Sequence, residues 1–503
     1  MVDAVSLQSQ SSAGDDLHEI LQQIKNREPD AYDESISRDA TRRLLKGMTF
    51  TDKQWTEEFP CSQRRRGRPD VVDFAASRLS KQFYLEKKDP TLLTEVKKPS
   101  VGLEDGSDKY FSTVDQLKRY MRADSCKSVE YGIIFNIIQV QVFRKHVKLV
   151  YPVTEVINLK RLSAVQINSV VQRLKKIIID EPSKNDKPRG TIITIWNNKG
   201  GVGKTTTAIN LSILLASKIR DPYADSRKPE HNKVLVIDFD HNQADLTKSL
   251  CFQKSNGKLK NILNLSETDQ ITNADLQTLP ESYERPQSKY PGPFKIDVIT
   301  ADMSFREKEF DYANAFNERS LPLRTLSLRY VELYDYIIID APPNYQGNIY
   351  SREAVTAADC LLPIGSFLCS NSIKNYCSVI EEILPLAQRQ RLEQECRREG
   401  GPHDLGIWFN KWEGNSIGWR ALSSQEKEMQ EAVRRSIECV EKIYKKRISR
   451  GFYDYNKDPN GMQLRQIRKI ANISKSFLKD SEPAIMRFKR VSEAYEPLLA
   501  EFI

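Results

Sequence analysis

The feature that most constrains the fold is a glycine-rich loop between an apolar segment and a helix-like segment. The apolar segment covers residues 191–196, the loop reads Lys199-Gly200-Gly201-Val202-Gly203-Lys204-Thr205, and the helix-like segment covers residues 206–218. Glycines let such a loop fold tightly, so that backbone N–H groups and the following helix N-terminus point at phosphate oxygens. The order strand, loop, helix therefore predicts an α/β fold with a nucleotide phosphate site.

Each polar side chain of the loop has an expected task. Lys204 is expected to contact the β- and γ-phosphates, and Thr205 to offer its hydroxyl to Mg²⁺. ATP and Mg²⁺ are the predicted cofactors. The predicted nucleotide-binding residues of this segment are Lys199, Gly200, Gly201, Val202, Gly203, Lys204, Thr205 and Thr206.

Two apolar segments end in acidic residues, as strands that present carboxylates to a metal–nucleotide do. The first, 234–240, ends in Asp238-Phe239-Asp240, and the second, 336–340, ends in Asp340 before Ala-Pro-Pro. A hard cation takes carboxylate and water ligands beside substrate phosphates. Asp238, Asp340 and Thr205 are therefore the predicted metal ligands here, the alternative for Asp340 being a turn aspartate that closes a buried strand.

The leading Lys199 and the acidic segments resemble the deviant P-loop ATPases of the ParA/MinD group. The resemblance runs from about Thr191 to Ile503 and weakens after about Asn410. It implies a mostly parallel sheet flanked by helices, and a homodimer in which Lys199 reaches the partner's nucleotide. It also implies that Asp240 positions the attacking water and that Asn410 bonds adenine. DNA and a stimulating protein are partners that the resemblance suggests.

One departure from that family follows Asp240. The family usually continues with Pro-Gln, whereas this chain reads His241-Asn242-Gln243 and is one residue longer. The local geometry, and with it the hydrolysis rate, is therefore left open.

A second set of chemical residues lies upstream, with Asp70 followed by Glu95 and Lys97. Alternation along a strand places Glu95 and Lys97 on one face. Asp70 on a neighbouring strand is then expected to join Glu95 on a divalent metal, while Lys97 orients or activates the attacking water. The alternative for so common a pattern is a charged strand edge.

The run from Arg66 to Tyr151 resembles the N-terminal nuclease domain of type I restriction motor subunits, a branch of the PD-(D/E)xK fold. The resemblance implies a restriction-endonuclease-like α/β/α domain in which Gln116 touches the site and Tyr120 packs one turn on. Residues 130–136 and 139–144 are expected to be strands, the second half-exposed because its pattern alternates. A helix over 37–46 is expected to add another acid, with Asp39 the choice among several.

Length and composition are consistent with two domains. The chain has 503 residues, and the predicted parts are a tail or helix over 1–36, a nuclease-like domain over 37–180, a linker over 181–190 and an ATPase domain over 191–503. The eight cysteines include no C-x-x-C pair, so we expect reduced thiols and a cytoplasmic protein. We expect no membrane segment, because no apolar run approaches ~18 residues.

A modest basic excess allows a nucleic-acid partner without requiring one. Lys and Arg number 77 against 68 Asp and Glu, giving a net charge of +9. Candidate phosphate contacts near the nuclease-like motif and in the C-terminal region are Arg64, Arg65, Arg66, Arg68, Lys118, Arg119, Lys442, Lys445, Lys446, Arg447, Arg450, Arg465, Arg468 and Lys469. A solvated charged surface is the alternative for both groups, and it is slightly favoured for the C-terminal one.

The two motifs together favour an ATP-gated DNA endonuclease acting in defence against foreign DNA. A second hypothesis is a partition or positioning ATPase whose N-terminal fold only binds DNA. A third, weaker one is a DNA repair or mobile-element factor. The sequence does not choose between DNA and RNA as substrate.

Overall fold

The chain divides into two compact units. In the computed structural model the N-terminal unit is made of residues 1–186 and 397–400, and the C-terminal unit of residues 187–396 and 401–503. The described residues are 13–25, 31–61, 70–104, 107–180, 189–220, 230–255, 257–263, 271–287, 291–306, 321–366, 375–393, 400–412, 466–468, 483–487, 489–503 and the single residues 424, 428, 431, 434, 435 and 438.

Several expected features lie outside the described residues. They are most of the predicted linker, 181–188, the arginines at 64, 65, 66 and 68, and the C-terminal basic residues other than Arg468. Among the described residues, none of the helices combines the length and apolar character needed to cross a bilayer.

The N-terminal unit combines a mixed sheet with helices. Its elements are α1 (Ala13–Lys25), α2 (Glu34–Gly47), β1 (Trp55–Cys61), β2 (Asp70–Ala76), α3 (Phe83–Glu86), β3 (Leu92–Val96), α4 (Asp108–Met121), β4 (Tyr131–Phe135), β5 (Gln139–His146), β6 (Leu149–Pro152), β7 (Ile157–Asn158) and α5 (Ala164–Lys175). The strand order is β1-β2-β3-β4-β5-β6, with β7 also paired to β5. Strand β3 is antiparallel to β2 and parallel to β4.

Helix α4 lies against this sheet and carries residues of the second predicted motif. Ser107 caps its first turn by accepting the Tyr110 N–H at 3.1 Å. Its apolar side, which includes Leu117 and Met121, belongs to a buried cluster with Leu93 and Ile134 of the sheet. The sheet thus holds α4 beside the end of β3.

A buried lysine fixes the end of α4. The Lys145 ammonium, on β5, donates to the carbonyl oxygens of Met121 at 2.9 Å, Cys126 at 2.6 Å and Lys127 at 3.0 Å. One side chain therefore satisfies three carbonyl groups that follow or end the helix.

The expectation that β5 is half-exposed is wrong. All eight of its residues are buried. Its polar side chains have internal partners. Gln141 Nε2 donates to the Thr154 carbonyl oxygen at 2.9 Å, and Arg144 donates to the Tyr151 hydroxyl at 2.9 Å. Alternating polarity here reflects internal hydrogen bonds rather than contact with water.

The C-terminal unit is a larger, mostly parallel sheet flanked by helices. Its elements are β8 (Thr191–Trp196), α6 (Lys204–Ser217), β9 (Val234–Asp238), α7 (Asp245–Ser249), α8 (Lys258–Leu263), α9 (Asn273–Thr278), β10 (Glu281–Arg285), β11 (Phe294–Ile299), α10 (Pro322–Tyr330), β12 (Tyr336–Asp340), α11 (Ile349–Ala357), β13 (Cys360–Ser366), α12 (Leu384–Glu393), β14 (His403–Asp404), β15 (Trp408–Trp412), β16 (Gln466–Arg468), α13 (Ala484–Arg487) and α14 (Lys489–Leu499).

The strand order of this sheet is β10-β11-β9-β12-β8-β13-β15-β16, with β14 paired to β13. The pairing is parallel except between β10 and β11. Strands β8, β9 and β12 are buried along their whole length, as the apolar runs predict for strands covered on both faces. Their carboxyl ends meet at one edge, where the first predicted motif lies.

Candidate functional site

In the N-terminal unit, Glu95 and Lys97 lie together at the end of β3. The Lys97 ammonium donates to Glu95 Oε1 at 2.5 Å and to Gln116 Oε1 at 3.1 Å. Gln116 in turn donates to the Tyr120 hydroxyl at 2.6 Å. The predicted residues Glu95, Lys97 and Gln116 are thus brought together, with Tyr120 one helical turn further.

The acid beside Glu95 is Asp73. Strand register pairs Phe74 with Thr94, so the next residues along the two strands are Asp73 and Glu95. Asp73 Oδ2 accepts the Val96 N–H at 2.7 Å, which holds the carboxylate at this end of β3. The sequence analysis missed Asp73, although it stands three residues after Asp70 in the same motif.

Asp70 has a different neighbour. Its Oδ2 accepts from Arg119 Nε at 2.7 Å. The described side chains therefore do not join Asp70 to Glu95 as expected, because the β2–β3 register sets a different residue of β2 against Glu95. Asp39 is also directed elsewhere, toward Arg43 at 3.2 Å.

Burial dominates the electrostatics of the two acids in this cluster. Burial raises the pKa of Glu95 to about 7, while Lys97 opposes the rise. Burial also raises the pKa of Asp73, and the Val96 N–H opposes it. Glu95 Oε2 is buried and accepts no hydrogen bond from the described residues, so it has an oxygen available for a ligand.

Two observations bear on a metal at this cluster. Arg38 pairs with Asp73 Oδ1 at 2.7 Å, so a cation already neutralises one of the acids. No group of three or more His, Cys, Asp or Glu suited to a metal occurs in the part of the chain that the structure describes. A metal here would thus take two carboxylates and complete its shell with water or substrate oxygens.

In the C-terminal unit, the glycine-rich loop joins β8 to α6. Gly201 and Gly203 have φ values of +72° and +99°, in the left-handed region that glycine adopts without strain. Lys204, the first residue of α6, is nearly buried, and its ammonium donates to the Lys199 carbonyl at 3.1 Å. Lys199 itself is exposed.

Three acids line the neighbouring strand ends. Burial and the nearby Asp238 raise the pKa of Asp340 well above its ordinary value, and the Thr205 hydroxyl opposes the rise. Burial raises the pKa of Asp238 to about 7, and that of Asp240 is raised for the same reason. Burial lowers the pKa of Lys204, against the pull of Asp340 and Asp240.

Lys204 thus interacts electrostatically with Asp240 and Asp340, and the Thr205 hydroxyl interacts with Asp340. Buried acids that lie close together either keep a proton or are neutralised by a cation. Asp238 differs, because its Oδ2 accepts both the N–H and the hydroxyl of Thr247, at 2.9 Å and 2.6 Å. This contact gives Asp238 a structural task at the start of α7, beside its expected metal role.

The extra residue after Asp240 is absorbed by a turn. Asp240 Oδ1 accepts the Gln243 N–H at 3.1 Å, and its carbonyl accepts the Ala244 N–H at 2.7 Å. Ala244 takes a positive φ of 51°, which closes the turn just before α7.

Asn410 lies against the glycine-rich loop. Its Nδ2 donates to the Val202 carbonyl at 3.4 Å, and the residue is in the middle of β15. A Cβ atom at Gly203 would overlap Asn410 Nδ2. The predicted adenine-binding side chain is therefore packed on the phosphate loop.

Comparison with known proteins finds similarity in the C-terminal unit. Residues 190–390 match the model of a protein family described as an AAA domain. The chromosome partitioning protein ParA of Myxococcus xanthus is 31% identical over 174 residues, which is 34% of this chain and 51% of that protein. The sporulation initiation inhibitor protein Soj of Bacillus subtilis is 30% identical over 175 residues, 34% of this chain and 57% of Soj.

Residues 190–390 of the C-terminal unit are thus similar to an AAA domain and to the ParA and Soj proteins, and they are called the ParA-type domain below. The chain spans about half the length of these curated relatives. Among solved structures, the septum site-determining protein MinD of Pyrococcus horikoshii, complexed with Mg-ADP, aligns with 62% of this chain and 95% of that chain. Its identity is 16% and its TM-score 0.36, too low for a comparison of architecture.

The residues of the ParA-type domain at the strand ends have the chemistry that a metal–nucleotide requires. ATP with Mg²⁺, the cofactors expected from the sequence, fits its donors: a lysine and loop N–H groups for phosphates, a hydroxyl and buried carboxylates for the cation. The match ends before β15, so Asn410 lies outside the matched residues of the ParA-type domain.

Proposed function

We propose that the chain is an ATP-regulated DNA endonuclease. The ParA-type domain binds and hydrolyses ATP, ATP closes a homodimer, and the dimer brings two N-terminal units together on DNA. The observation that carries the nuclease half is the contact of Lys97 with both Glu95 and Gln116, with Asp73 beside Glu95.

The N-terminal cluster supplies the groups that phosphodiester hydrolysis needs. Mg²⁺, when bound, would lower the pKa of its water and neutralise charge on the phosphate. Glu95 and Asp73 would hold the cation, and Glu95 Oε2 is the oxygen left without a hydrogen bond. Lys97 would orient the attacking water or stabilise the phosphate, with Gln116 fixing its ammonium. Asp70, paired with Arg119 at 2.7 Å, would take no direct part in holding the cation.

In the ParA-type domain the proposed division of labour follows the contacts. Lys204 and residues 200–206 bind the phosphates, and Thr205 and Asp340 hold Mg²⁺. Asp240 positions the attacking water, and Lys199 reaches the partner's nucleotide in the dimer. The exposure of Lys199, beside a nearly buried Lys204, supports this separation of intermolecular and intramolecular roles.

The biological setting that we propose is defence against foreign DNA, in the cytoplasm. A protein that stimulates ATP hydrolysis would be the trigger. These proposals rest on the resemblance of the two motifs to restriction and ParA families.

A second candidate is a partition or positioning ATPase whose N-terminal unit binds DNA without cutting it. The Arg38–Asp73 ion pair, at 2.7 Å, favours this candidate, because a guanidinium on one acid competes with a metal. The names of the ParA and Soj relatives point the same way.

A plasmid assay separates the two candidates. Purified protein is incubated with supercoiled plasmid, Mg²⁺ or Mn²⁺, and ATP, and nicked and linear products are followed by electrophoresis. Cleavage by the wild type that is lost in Glu95→Ala and Lys97→Ala supports the endonuclease. A wild type that binds DNA with ATP but never cuts it would establish the second candidate instead.

The control is Glu86→Ala, on the short helix α3 of the same unit, whose carboxylate contacts Ser80 at 2.7 Å. This variant removes an acid outside the cluster and should cleave as the wild type does. Loss of cleavage in Glu86→Ala to the same extent would attribute the effect to folding rather than to chemistry.

A further inference from the structure

Two asparagines link the phosphate loop to both neighbouring strands, an inference that rests on the ATPase half of the proposed function. In the sheet, β8 lies between β12 and β13. Asn197 and Asn198 follow directly after β8, ahead of Lys199. Asn197 bonds to strand β13, and Asn198 bonds to the segment that follows strand β12.

Asn197 connects Lys199 to β13. Its Oδ1 accepts the Lys199 N–H at 2.8 Å, and its Nδ2 donates to the Ile364 carbonyl at 2.8 Å. Asn375 Nδ2 also donates to Asn197 Oδ1, at 3.3 Å. Asn197 is 2% exposed, so these bonds form away from competing water.

Asn198 connects the loop to the segment after β12. Its Oδ1 accepts the Tyr345 N–H at 2.9 Å, and its carbonyl accepts the Asn344 N–H at 3.2 Å. Asn344 has a positive φ of 67°, and its Oδ1 accepts the Gly347 N–H at 3.2 Å. The segment that bonds to Asn198 is thus a formed turn, four and five residues after Asp340.

We propose that Asn197 and Asn198 are positioning residues, which fix the backbone at Lys199 for closure of the ATP-bound dimer. Neither side chain has to touch the nucleotide for this role. Asn197 holds the peptide N–H of Lys199 itself, and Asn198 ties the loop to the turn beyond the metal-binding Asp340. A lysine that must reach a second protomer gains from a fixed starting point, because less conformational entropy is lost on closure.

The test uses Asn198→Ala and Asn198→Asp in the full chain. Asn198 is exposed, so neither change should prevent folding. The aspartate keeps an oxygen that can accept the Tyr345 N–H, whereas alanine removes it. Nucleotide affinity is measured with a fluorescent ATP analogue, and dimerisation with ATPγS by sedimentation velocity.

We expect the ATP-analogue affinity of Asn198→Ala to stay within about threefold of the wild type, while its dimer affinity falls about five- to tenfold, as the loss of one hydrogen bond implies. Asn198→Asp should restore dimerisation to within about twofold. Asn197→Ala should weaken dimerisation at least as strongly, because it removes the bond to Lys199 directly.

Two results would overturn the inference while leaving the proposed function in place. One is wild-type dimerisation in Asn198→Ala and Asn197→Ala, and the other is an equal loss in Asn198→Ala and Asn198→Asp. A wild-type chain that neither binds the analogue nor dimerises would instead refute the ATPase switch itself, and this inference with it.

Discussion

In the proposed nuclease, Asp73 is the second metal-binding acid beside Glu95. Its two oxygens have separate tasks, since Oδ2 accepts the Val96 N–H and Oδ1 pairs with Arg38. Arg38 also contacts Glu34 and Glu57, each at 3.4 Å, so it has other acids to bind if a metal displaces it from Asp73. Displacing Arg38 from Asp73 therefore costs less free energy than displacing an arginine that has a single acidic partner.

Replacing Asp73 should therefore affect cleavage far more than replacing Asp70. We expect Asp73→Asn to lower the plasmid-nicking rate about 100-fold or more, as loss of a metal-binding charge implies. Asp70→Asn is the matched control, and we expect a change of less than about tenfold from the loss of an exposed ion pair. A larger loss of nicking rate in Asp70→Asn than in Asp73→Asn would instead indicate that Asp70 binds the metal.

The raised pKa of Glu95 has a consequence for stability. A carboxyl whose folded pKa lies above its unfolded value stabilises the fold fully below the unfolded value, and that contribution is lost as the pH rises through the folded value. The shift from 4.5 to about 7 corresponds to about 3 kcal/mol at most. In EDTA, β3 amides should exchange hydrogen faster at about pH 8 than at about pH 5, after correction for intrinsic exchange.

Glu95→Gln is the control for this measurement. It removes the titrating group and should make the corrected exchange of β3 less dependent on pH. An unchanged pH dependence in Glu95→Gln would show that another group is responsible.

At the scale of elements, the phosphate loop is confined by a strand distant in sequence. Asn410 of β15 occupies the space beside Gly203, and its amide bonds to Val202. The loop's shape thus depends on β15 as well as on its own glycines.

Gly203→Ala should therefore weaken nucleotide binding. The new Cβ would overlap Asn410 Nδ2, and φ of +99° is strained for alanine. We expect at least about tenfold weaker binding of a fluorescent ATP analogue. Gly200→Ala is the comparison within the same loop, and we expect a smaller loss because a Cβ there meets no protein atom within 4 Å. Equal losses of nucleotide affinity in both variants would show that the contact between residue 203 and Asn410 is not the cause.

The elements themselves could largely be predicted from the sequence. The apolar runs at 191–196, 234–240 and 336–340 form strands as expected, the second ending two residues early at Asp238, because strands buried on both faces need uninterrupted apolar residues. The helix expected over 37–46 is α2, three residues longer at its start, where Asp33 caps it by accepting the Ser35 N–H.

What could not be predicted depended on register and on distant contacts. Asp73 rather than Asp70 stands beside Glu95 because a fifteen-residue connection, 77–91, leaves the β2–β3 pairing undetermined by spacing. Likewise, nothing near Asn410 in sequence indicates that it lies against Val202, 208 residues away.

At the scale of the whole molecule, two units with separate cores share one chain. Separate cores allow each unit to be inactivated without unfolding the other. In the proposed function, ATP-dependent dimerisation of the C-terminal unit controls cleavage by the N-terminal unit.

Variants of the N-terminal cluster should therefore lose cleavage and keep ATP hydrolysis, whereas variants of the nucleotide site should affect both activities. We expect Glu95→Ala to retain ATP hydrolysis within about twofold while losing cleavage, because the sites lie on different cores. Lys204→Ala should lose ATP binding and with it the ATP dependence of cleavage. Lys199→Ala should bind nucleotide as a monomer yet fail to dimerise, which sedimentation in ATPγS would detect. Dimerisation that persists in Lys199→Ala would contradict the proposed closure.

The ammonium of Lys145 is a cation built into the N-terminal unit. With its three carbonyl contacts it does at the end of α4 what a coordinated ion does in other small domains, and no chelator can remove it. A chelator added to the nucleotide-free protein should therefore leave the position of Gln116 unchanged while stripping a metal from Glu95. Loss of cleavage in EDTA would then report on the metal at the cluster or with ATP, and not on the integrity of the cluster's scaffold.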